Sequence, residues 1–144
     1  MKALSLRRQV QQAIAACQDK KALDLAVLEL GKHSGAFTDY FVICSGSNPR
    51  QVQAIADAVG EQLEKAGLLA LHVEGYTQAE WVLLDYVDLV VHIFSEKARK
   101  FYDLERLWRS ARRLDPDTLK ALAGKKSAPR GGRTARAKPR RRRS

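Results

Sequence analysis

The chain has 144 residues, 45% hydrophobic and 29% charged, a length and balance that suit one domain with a small core. No apolar run approaches the ~18 residues of a membrane span, and MKALSLRRQV at the start lacks the continuous apolar stretch of a secretory signal, so a soluble cytoplasmic protein is expected. The formal charge of +10 is concentrated: residues 124–144 hold ten of the 26 Lys and Arg and no acid, leaving 16 bases against 16 acids in residues 1–123.

That division predicts a folded domain over 1–123 and a basic tail over 124–144 whose Pro, Gly and like charges disfavour packed structure. At the start of the domain, Ser5 is placed to cap a helix with Leu6, Val10, Ile14 and Cys17 along one face, ending near Asp19. ALDLAVLEL (22–30) mixes alternation with continuous apolar residues, as a sheet strand does. After the loop GKHSGAF, YFVICS (40–45) is a short apolar run suited to a buried central strand. Gly46-Ser47 breaks it, and Asn48-Pro49 supplies a cap and a first-turn proline for a second helix. Val52, Ile55, Ala56, Val59 and Leu63 follow at helical spacing, and Gly67 suits the position just beyond the helix end.

LLALHV (68–73) predicts a third strand, Glu74-Gly75 a loop, and residues 80–86 and 88–94 two closely joined strands. Ser95 then caps a last long helix, EKARKFYDLERLWRSARR, with Phe101, Leu104, Leu107, Trp108 and Ala111 as its apolar stripe. The order α-β-β-α-β-β-β-α contains one strand–helix–strand unit, 40–73, expected as a right-handed parallel crossover. Short connections elsewhere favour antiparallel neighbours. The expected fold is α/β (α+β): a mixed sheet of about five strands with flanking helices.

Each cluster that suggests chemistry has a plainer reading. Cys17 and Cys44 are far apart in sequence without metal-ligand spacing, and are expected as buried reduced thiols. Gly46-Ser47 between a strand and a helix, with Arg50 nearby, offers an anion or nucleic-acid contact as well as a simple tight turn. It lacks the wider glycine spacing and Lys-Ser/Thr pair of a P-loop. Gly-Ser after a strand also opens the nucleotidyltransferase signature, but no pair of carboxylates one residue apart follows to grip Mg²⁺. In WVLLDYVDLVVHIF (81–94), Asp85 and Asp88 are three apart, on opposite faces of a continuous strand or serving a turn. His92 shares a face with Asp88, Val90 and Phe94, with no evident nucleophile to activate. His33 and His72 have no shared metal spacing. Trp81, opening a strand after the polar TQAE, and Tyr102 suit either a core or an interface.

Four blocks carry a resemblance: TDYFVICSGSNPRQVQAIADAV (38–59), Glu74-Gly75, WVLLDYVDLVVHIF and RKFYDLERLW (99–108). In order and spacing they resemble the Iojap, or ribosomal silencing factor, family over roughly residues 5–110. The resemblance implies an α/β fold related to nucleotidyltransferases without their catalytic acids, no cofactor, and no enzymatic activity. It implies docking on the large ribosomal subunit, through ribosomal protein L-fourteen, at the face where the small subunit would join. Blocked joining would lower translation when nutrients are scarce, and a homodimer of the free protein is implied too. By position it points to Trp81, Asp85, Asp88 and His92, with Arg99, Tyr102 and Glu105 on the following helix, as docking residues. The family usually has Gly at the place of Val87, where a β-branched residue resists positive φ; a different turn, or altered spacing of the two acids, is therefore expected. On a ribosome the tail, with Arg140, Arg141, Arg142 and Arg143, is expected to lie on rRNA phosphates or to add only non-specific affinity. Two rival readings are a nucleotide-binding or nucleotidyltransferase-type enzyme using Gly46-Ser47, and a general RNA binder driven by the tail.

Overall fold

A computed structural model describes residues 5–30 and 38–116. Helix α1 (Leu6–Asp19) begins where the Ser5 hydroxyl accepts the Arg8 N–H at 3.2 Å, and buries Val10, Ala13, Ile14 and Cys17. Helix α2 (Pro49–Lys65) starts in the same way, the Asn48 side chain accepting the Gln51 N–H at 2.8 Å with proline in the first turn. It stops where Gly67 turns to φ +90°, so that the Gly67 and Leu68 amides reach back to the Glu64 and Leu63 carbonyls. Val52, Ile55, Ala56, Val59 and Leu63 form its buried stripe.

The strands are β1 (Leu23–Glu29), β2 (Tyr40–Gly46), β3 (His72–Glu74), β4 (Trp81–Asp85), β5 (Leu89–Ser95) and β6 (Arg112–Leu114). They form one six-stranded sheet in the order β3-β4-β5-β2-β1-β6. Among the described residues only β2 and β5 pair in parallel; the other pairs are antiparallel. These two central strands are mostly apolar and buried because both of their faces are covered. Val42, Cys44, Val91 and Ile93 pack toward α1 and α2, while Phe41, Ile43 and Phe94 face the other side with Ala98, Leu104 and Trp108.

Three expectations change. The crossover through α2 does run to a parallel strand, but that strand lies three places away, beyond β5 and β4. The predicted strand 68–73 shrinks to His72–Glu74 at the sheet edge, exposed throughout, because Leu68 is held in the α2 cap. The predicted helix 96–113 breaks. Helix α3 (Glu96–Tyr102) ends at Asp103 in the left-handed conformation, φ 46° and ψ 54°, α4 (Leu104–Leu107) follows, and the chain then adds β6 beside β1. In a straight helix Arg99 and Glu105 would stand about 9 Å apart along the axis. The break instead lets them meet at 2.9 Å and turns Leu104 and Trp108 onto the sheet.

Candidate functional site

On the sheet face away from α1 and α2, the β4–β5 register pairs Trp81 with Phe94 and Leu83 with His92. Alternation along the strands brings Trp81, His92 and Phe94 to one side, and the parallel neighbour β2 adds Phe41. The Trp81 indole N–H donates to His92 Nδ1 at 3.0 Å. A neutral imidazole that accepts at Nδ1 carries its proton on Nε2, and that nitrogen is buried with no hydrogen-bond partner among the described residues. Burial pushes the His92 pKa down to about 3, so the ring stays neutral. Phe41 meets it edge-on at 4.4 Å and Phe94 stacks at 6.2 Å. Trp81 is half-buried and lies 4.7 Å from the ring of Tyr102, which α3 presents to solvent.

The turn between β4 and β5 decides the two acids. Val87 takes φ +75° and the Asp88 N–H donates to the Tyr86 carbonyl at 2.9 Å, which makes a γ-turn. The positive-φ backbone that glycine would favour is therefore kept, with valine in it. Asp85 accepts the Val87 N–H at 2.8 Å through its carboxylate, and the Asp88 carbonyl accepts the Asp39 and Tyr40 amides, both at 3.1 Å. Asp85 is part-exposed and Asp88 exposed. Among the described residues, no group of three or more His, Cys, Asp and Glu could hold a metal ion.

Arg99 and Glu105 sit inside the framework. The Arg99 guanidinium binds both Glu105 oxygens, at 2.9 and 3.1 Å, the Ser45 hydroxyl at 2.9 Å and the Asp24 carbonyl at 2.7 Å. Its side chain is only 10% exposed. The Arg99 hydrogen bonds, then the nearby charges of Arg99 and Arg113, hold the Glu105 carboxyl below the usual range against the opposing effect of burial.

The Gly46-Ser47 segment folds as a tight turn closed by its own neighbours. Gln51 Oε1 accepts both the Ser47 N–H, at 2.6 Å, and the Ser47 hydroxyl, at 2.9 Å, while its amide donates to the Lys20 and Lys21 carbonyls. A Cβ on Gly46 would stand 2.8 Å from Val52 Cγ2 and 3.0 Å from the Val52 nitrogen. Arg50 is exposed on the first turn of α2. Arg140, Arg141, Arg142 and Arg143 lie outside the described residues, as does His33. His72 is exposed on β3.

The sequence did not show three contacts. Gln51 bridges α1 and α2, which no local pattern announces. Phe41 joins the aromatic face only through the parallel register. Cys17 and Cys44, distant in sequence, are free thiols 3.9 Å apart and fully buried. The hydrogen bond with Cys44, then burial, pushes the Cys17 thiol well up, so it stays protonated and unreactive. Gly75, by contrast, was marked by its motif: at φ +81° its loop passes so close to the Trp81 backbone that a Cβ would lie 2.0 Å from the Trp81 carbonyl oxygen.

Fold and face together define an α/β domain built on a mixed sheet, with a half-open aromatic face organised by a neutral buried histidine. The family model described as "Ribosomal silencing factor during starvation" matches residues 3–143, and the chain belongs to that family. It is 43% identical over 105 residues to the ribosomal silencing factor RsfS of Bacillus subtilis, covering 73% of this chain and 88% of the relative. A crystal structure of a protein from Chromobacterium violaceum superposes with a TM-score of 0.70 at 33% identity, over 73% of this chain and 87% of that one. A structure from Bacillus halodurans gives a TM-score of 0.67 at 37% identity, over 76% and 98%.

Proposed function

We propose that the protein is a non-enzymatic ribosomal silencing factor of the cytoplasm that docks on the large ribosomal subunit through ribosomal protein L-fourteen. Docking there excludes the small subunit and so represses translation under nutrient limitation. The observation that carries the reading is the Trp81 face: a half-buried indole pinned by His92 beside the exposed ring of Tyr102. Aromatic anchors of this kind contribute most of the energy of many protein interfaces. Within the docking set, Trp81 and Tyr102 supply direct contact, and Asp85 and Asp88 offer acid at the adjoining turn for a basic partner. His92, Arg99 and Glu105 hold that surface in shape. The work is surface complementarity, so no cofactor enters it. The free protein forms a homodimer, and the tail with Arg140, Arg141, Arg142 and Arg143 adds rRNA affinity that falls with salt.

The Gly46-Ser47 segment supports an enzyme less well, because its amide and hydroxyl are already taken by Gln51. Co-sedimentation with purified large subunits tests the docking reading. Trp81→Ala should weaken binding by at least tenfold, while deletion of residues 124–144 should leave most of it. Binding lost with the tail and kept without the indole would make the protein a general RNA binder instead. Micromolar, Mg²⁺-dependent nucleotide binding by the purified protein would favour the enzyme.

A further inference from the structure

The formal balance of residues 1–123 hides a separation of charge along the chain. Residues 1–95 hold eight Lys and Arg against eleven acids, whereas residues 96–114 hold seven against three. Three of those seven are engaged within the fold: Arg99 and Arg113 with Glu105, and Arg112 with Glu29. Lys97, Lys100, Arg106 and Arg109 are exposed and, among the described residues, form no ion pair. On α3, residues three and four apart are neighbours, so Lys97 stands beside both Lys100 and Phe101. Phe101 is 78% exposed and Leu107, beside Arg106, is 73% exposed.

The Phe101 ring meets Tyr102 edge-on at 5.0 Å and leaves most of its surface open beside unpaired cations. The combination suits a single-stranded RNA, whose phosphates meet the cations while an unpaired base stacks on the ring. The segment also runs on in sequence toward the ten cations of residues 124–144. We propose that Lys97, Lys100, Arg106, Arg109 and Phe101 form a contact for single-stranded RNA on the folded domain itself. It adjoins the Trp81 face where Phe101 meets Tyr102, does not depend on the docking reading, and adds to any contribution of the tail.

The test uses the full chain and a fluorescently labelled uridylate dodecamer, followed by anisotropy over a salt series. Changing Lys97, Lys100, Arg106 and Arg109 together to Gln should reduce the slope of log affinity against log salt by about 3, at ~0.7 per cation on a single strand. Phe101→Ala should cost about tenfold in affinity at fixed salt and leave that slope unchanged. An unaltered far-UV spectrum verifies that both variants fold. Wild-type affinity and slope in the fourfold variant would overturn the proposal, as would complete loss of binding on neutralising Arg140, Arg141, Arg142 and Arg143 alone. Weakened binding to large subunits with unchanged uridylate binding would assign the strip to a ribosomal protein, and overturns it too.

Discussion

His92 is conspicuous as an imidazole beside two aspartates, yet its environment removes acid/base chemistry from it. Its Nδ1 is occupied by the Trp81 indole, and burial pushes its pKa down to about 3. The unfolded chain protonates this histidine below its ordinary pKa near 6.5, whereas the folded protein does so only near 3, so acid favours the unfolded state between those limits. Stability should therefore fall by about 2 kcal/mol from pH 7 to pH 5 on account of this one side chain. Urea titrations of the wild type and of His92→Gln at both pH values check this; the variant should lose most of that dependence. Val87 makes the complementary case, a side chain in the wrong backbone. At φ +75° its β-branched carbon is strained, and at 55% exposure little packing offsets the strain. Strain of this kind costs on the order of 1–3 kcal/mol, against roughly 0.5–1 kcal/mol of glycine's backbone entropy. Val87→Gly should raise stability by about 1 kcal/mol, read as a shift in the denaturant midpoint.

At the scale of elements, the readable parts were those whose signal is local. Ser5 and Asn48 cap their helices through side chains, and the apolar runs of β1, β2, β4 and β5 fall where composition placed them. What local pattern could not supply was the break at Asp103. The stripe Phe101, Leu104, Leu107, Trp108 fits one continuous helix, but only Leu104 is buried; Phe101 and Leu107 face water. The deciding interaction joins Arg99 to Glu105, Ser45 and the Asp24 carbonyl, and two of those partners are more than 50 residues away in sequence. The edge strands β3 and β6 are three residues each and owe their existence to the neighbours they pair with. Of the proposed docking residues, the resemblance named Trp81 and Tyr102, whose rings the structure brings within 4.7 Å, but it did not tell which members are interior. Arg99→Leu should leave the Ser45 hydroxyl unpaired and the Glu105 carboxylate with only the exposed Arg113, and cost about 3 kcal/mol. Chemical denaturation measures it; a cost within ~0.5 kcal/mol, typical of surface changes, would show that the pair does not hold α3 to α4.

For the whole molecule, the sheet divides two tasks between its faces. One is closed by α1 and α2 and contains most of the large core. The other is only partly covered by the short α3 and α4, and there Trp81 and Tyr102 remain accessible. On the β4–β5 hairpin of that face, the Asp85 carboxylate accepts the amide of its own turn and His92 Nδ1 accepts the Trp81 indole N–H. The most direct measurement is subunit joining on a sucrose gradient, with purified small and large subunits mixed in the presence of the protein. The expected result is a dose-dependent loss of whole ribosomes with free subunits accumulating, largely reversed by Trp81→Ala. Whole ribosomes forming equally well at saturating protein would contradict it.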